Sequence, residues 1–62
     1  MDVFTKEELS EALRAVNALL SKCQKAQEKL SHRPSQFALL KNRIKALKIS
    51  SYLIKKTLED IS

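Results

Sequence analysis

Apolar residues recur along the first half of the chain at alternating steps of four and three. Leu9, Leu13, Val16, Leu20, Cys23 and Leu30 follow this rule, and Gln27 fills the remaining place. Such spacing draws one apolar stripe along an α-helix and, sustained over several turns, forms a seam for another helix. Ala12, Leu19 and Ala26 widen one edge of the stripe. That breadth suits a helix in a bundle better than one in a two-stranded coiled coil. Phe37, Leu40, Ile44, Leu47, Ser51, Ile54, Leu58 and Ile61 step in the same way along the second half.

The first helix has a marked beginning. Thr5 and Glu8 have the spacing of a capping box, and Phe4 and Leu9 that of a hydrophobic staple. Glu7, Glu8 and Glu11 carry negative charge where the helix dipole is positive. The two runs are separated by Ser31-His32-Arg33-Pro34-Ser35. Pro34 disfavours helix at Arg33, although it can itself occupy a first helical turn. The pattern therefore predicts a first helix over about residues 6–31, a turn over about 32–34 and a second helix over about 35–61. So short a link makes the helices antiparallel neighbours.

Folding the chain about this turn keeps the seams in register from end to end. Leu30 falls opposite Phe37, Gln27 opposite Leu40, Cys23 opposite Ile44 and Leu20 opposite Leu47. Val16 then meets Ser51, Leu13 meets Ile54 and Leu9 meets Leu58. Local start signals, helical period and turn length all agree, which is the mark of a sequence that specifies one fold. The expected class is all-α: a single antiparallel two-helix hairpin over residues 1–62.

One hairpin seam leaves a second stripe uncovered. Leu39, Ala46, Ile49 and Leu53, with Tyr52 beside them, lie nearly opposite the seam of the second helix. A contiguous exposed apolar patch usually marks a contact surface. Sixty-two residues also seldom enclose enough core to be stable alone. The expectation is a homodimer forming a four-helix bundle, or docking on another helical protein, with Leu39, Ala46, Ile49, Tyr52 and Leu53 at the interface. An antiparallel dimer would bring opposite charges together.

Composition narrows the function. The chain has no glycine. Hairpin turns between strands and phosphate-cradling loops favour glycine, so a P-loop is not expected. Cys23 is the one cysteine, which rules out an internal disulfide. Its place in the seam reads as a small buried hydrophobe rather than a nucleophile. His32 is the one histidine and falls in the turn, where a solvated loop residue is expected. Cys23 and His32 together do not make a zinc ligand set. Asp2, Glu7, Glu8, Glu11, Glu59 and Asp60 gather at the end where the termini meet. Carboxylates do acid–base work only in a pocket that shifts a pKa, and none is implied. No catalytic residue, metal or cofactor is expected, and the chain is not read as an enzyme.

The net charge is +5. From Pro34 onward there are six basic and two acidic residues. Lys41, Lys45, Lys48 and Lys55 follow one side of the second helix with Tyr52 among them. Such a line could track a phosphate backbone, or simply keep a small bundle hydrated. No base-reading motif accompanies it. No window is apolar enough to span a membrane. The opening residues lack the basic start and apolar run of a secretory signal, so a cytoplasmic location is the expectation. The architecture is similar to small dimeric helical hairpins that assemble into four-helix bundles, some of which bind RNA. That likeness is one of shape and transfers no residue role. The expected function is a non-enzymatic interaction module, a regulator or adaptor. The alternative is a nucleic-acid-binding regulator using the basic side of the second helix.

Overall fold

The computed structural model describes residues 4–61, which form two helices packed side by side, α1 (Lys6–Lys29) and α2 (Pro34–Ile61). The molecule measures 43 × 18 × 16 Å. Its long axis is the length of α2, whose 28 residues span about 42 Å at the helical rise.

Helix α1 starts as its sequence dictates. Thr5 is the N-cap, its Oγ1 accepting from the Glu8 amide at 3.1 Å. The Thr5 amide donates back to Glu8 Oε1 at 2.9 Å. Both halves of the capping box therefore form, and two amides left over at the helix end find acceptors. Phe4 occupies the staple position but is 67% exposed, so it adds little apolar burial.

The turn is made without any left-handed residue. Leu30 caps α1 at φ −104°, ψ 18°, and its amide is shared between the carbonyls of Ala26 and Gln27. The Arg33 amide then donates to the Leu30 carbonyl at 2.9 Å. The Arg33 carbonyl accepts from Phe37 to open α2, with Pro34 as its first residue. Proline fits there, because an amide at that position has no intrahelical partner to lose. Helix α1 thus ends at Lys29, two residues short of the expected Ser31, and α2 begins at Pro34, one residue early.

The seam forms as read. Leu9, Leu13, Val16, Leu20, Cys23, Gln27 and Leu30 are buried or half-buried, and so are Phe37, Leu40, Ile44, Leu47, Ser51, Ile54 and Leu58. The deepest pair is Cys23, 9% exposed, and Ile44, 7% exposed. Two expectations fail at the edges. Ile61 is exposed, and its level on α1 is Lys6, the first helical residue. Leu19 is 50% exposed instead of widening the seam. Ala46, which lines a groove with it, has a single methyl and covers little of it.

Ser51 also departs from the simple pairing. Its hydroxyl donates to Asn17 Oδ1 at 2.8 Å, across the helix pair. The polar break in the α2 seam is satisfied by the residue after Val16, so the half-buried hydroxyl is not left without a partner.

Cys23→Ala should destabilise the hairpin by about 1 kcal/mol, the cost of a small cavity. Cys23→Asp should cost more than about 3 kcal/mol, since an unpaired charge would enter the tightest part of the seam. Chemical unfolding followed by circular dichroism checks both values.

Candidate functional site

The hairpin has two broad faces, one on each side of the seam. Their difference follows from the residues that flank the seam on each helix. Along one face α2 presents Lys41, Lys45 and Lys48, which border an open groove of about 500 Å³. Phe37, Ile44 and Ile49 supply apolar lining, and Gln27 of α1 contributes from across the seam. Gln27, the polar member of the α1 seam, therefore borders this groove as well. Asn17, bonded to Ser51, marks the same side of α1 farther along.

The other face is different in character. Leu19 of α1 and Ala46 of α2 line a second groove, of about 310 Å³, over Cys23 and Leu47. Arg43 stands at its edge. The two helices therefore contribute jointly to an apolar surface, which neither helical pattern shows when considered alone.

The expected interface residues are all exposed, but they do not all share one groove. Leu39 is 61% exposed and Leu53 54% exposed. Ala46 is exposed in the groove with Leu19. Ile49 is exposed as well and lines the lysine groove. Tyr52 lies with Lys55, Lys56 and Glu59 around a smaller hollow of about 150 Å³. Three of the four lysines expected to act together, Lys41, Lys45 and Lys48, share one groove, while Lys55 borders the other hollow.

The residues considered for chemistry remain dispersed. Cys23 is a buried free thiol. His32 lines a shallow hollow at the turn with Arg33, Pro34, Ser35 and Gln36, well away from any carboxylate cluster. Glu7, Glu8 and Glu11 near the start of α1 and Glu59 and Asp60 near the end of α2 belong to the same end of the hairpin. Asp2 lies outside the described residues. Among the described residues no three His, Cys, Asp or Glu side chains are grouped to hold a metal ion. No described helix is long and apolar enough to cross a membrane.

Titration with zinc in a calorimeter should show no stoichiometric nanomolar binding, since tetrahedral zinc takes three or four convergent ligands. Saturable heat at one zinc per chain would contradict this. No family model, curated protein or solved structure matches this chain.

Proposed function

We propose that this protein is a non-enzymatic helical interaction module that acts by association, pairing with a second copy to complete a four-helix bundle. One observation carries the reading: a hairpin whose only buried hydrophobic residues, among those described, are Cys23 and Ile44 keeps Leu19, Leu39 and Leu53 at least half in water. Its accessible surface is 5220 Å². A compact monomer of its mass, 7.1 kDa, would expose about 4,100 Å². Association is the general remedy for a chain too short to enclose its own core. A twofold pair is the commonest closed arrangement of identical chains. Such a module regulates or tethers through the surfaces that remain outside the bundle.

The test is molar mass as a function of concentration. Analytical ultracentrifugation should show a dimer at micromolar concentration, with a melting temperature that rises with protein concentration. Leu39→Glu and Leu53→Glu should each yield a monomer with a lower melting temperature, because a charge would enter the bundle interior. A wild-type chain that stays monomeric at high micromolar concentration would refute self-association.

A second reading is favoured by one arrangement. Lys41, Lys45 and Lys48 border a common groove, and a polyanion such as nucleic acid would meet three positive charges there. Binding of single-stranded or duplex oligonucleotides should then weaken steeply with salt. Changing all three lysines to Glu should abolish it without loss of helix content. Absence of any shift at low salt would remove this reading.

A further inference from the structure

We propose that the self-association surface is a two-helix ladder centred on Leu19 and Ala46, and that the second copy docks on it antiparallel, its turn over the first copy's helix ends. The inference rests on the interaction-module reading above and names the geometry of the partner.

The ladder follows from one groove and one period. Leu19 and Ala46 line the same groove. Steps of seven residues keep to one side of each helix. From Leu19 they reach Ala12 and Ala26; from Ala46 they reach Leu53 and Leu39. Because the helices run in opposite directions, Ala26 comes level with Leu39, and Ala12 with Leu53. Every rung thus holds one Leu and one Ala. Two such ladders face to face give layers of two Leu and two Ala, a constant volume along the bundle, as close packing requires.

Two hydroxyls on this side are already satisfied, and the charged Arg43 stands at the groove's edge. Ser50 Oγ donates to the Ala46 carbonyl at 2.9 Å, and Thr57 Oγ1 to the Leu53 carbonyl at 2.8 Å. A partner can cover these hydroxyls without stranding a donor. The other face has three lysines bordering its groove, which a second identical face would repel.

The area available suits a second copy as the occupant. Two free copies, each exposing 5220 Å², compacted to the surface of an ordinary globule of twice the mass would bury about 3,700 Å², in the range of obligate dimers.

Charge sets the direction. Residues 20–45, the half nearest the turn, carry seven basic side chains and one acidic one, Glu28. The remaining described residues carry five of each sign. A pair with both turns at one end would stack two strongly positive halves. An antiparallel pair lays each positive half on a neutral one, and brings Glu8 and Glu11 of each copy level with Lys29 and Lys25 of the other. Leu19 and Ala46 lie 13 to 14 residues from the centre of the turn, about 20 Å along a molecule 43 Å long. The twofold axis passes through this central rung, so the copies overlap over their full length.

The experiment uses the full chain with Cys23→Ala and Ser35→Cys, carrying one spin label at the turn, with mass measured in parallel. The inference expects a dimer with a label separation of roughly 40 Å, the length of the bundle. A dimer with labels within about 20 Å would overturn the antiparallel order, since neighbouring helices lie about 10 Å apart, and would leave the interaction-module reading standing. A monomer with no dipolar coupling would overturn both. Leu19→Glu should weaken dimerisation at least about 100-fold with helix content unchanged. Ile49→Glu, on the lysine groove, should change it less than about fivefold. The reverse order of these two variants would overturn the two-helix ladder.

Discussion

Apolar burial along the seam between the two helices is the constraint on which the rest depends. Cys23 and Ile44, which fall at one level of the hairpin, are its two deepest side chains. Every other seam residue except the exposed Ile61 is half-buried, so its contribution follows from alignment with this level. If the centre loosened, the flanking leucines would lose their partners together, because each is held by neighbours one turn away. The capping box fixes where α1 begins, and Pro34 fixes where α2 begins, but neither brings the helices together. That falls to apolar burial along the seam, which is non-directional and needs correct phase to act.

The two faces of the hairpin divide the work. Lysines and the Asn17–Ser51 pair occupy one, while small and branched apolar residues span both helices on the other. With Cys23 and Ile44 as the buried hydrophobic residues among those described, the proposed association would couple stability to assembly. In the proposed dimer the Leu19–Ala46 face would be covered by the second copy, which would leave the lysine face for any outside partner. Such an arrangement would be economical of length, since one seam and one outer face would suffice for an assembly of four helices.

Much of this was legible in the residues. The capping box, both seams and their register read directly from spacing, because helical period and turn length leave little freedom once the break at Pro34 is placed. What was not legible depends on both helices at once. Leu19 reads as seam-widening from α1 alone; only the presence of Ala46 across from it leaves it half in water. Asn17 carries no periodic signal, being one residue beyond a seam position, yet it satisfies Ser51. The uncovered stripe of α2 reads as one surface on a helical wheel. In three dimensions Ala46 borders one groove, Ile49 another and Tyr52 a third hollow. A wheel shows angle and omits the neighbouring helix, which is where grooves come from.

The connection between the helices has one more consequence. It contains no glycine, and no described residue adopts a positive φ. Most side chains could therefore replace Ser31, His32 or Arg33 without backbone strain, and the identity of these residues is lightly constrained. The phase of the seam is held instead by the count of residues within α2: one added between Pro34 and Ile44 would turn the rest of the helix by about 100° and carry Ile44 away from Cys23, toward the solvent. The turn accepts change of letter, while the helix that follows it does not accept change of length.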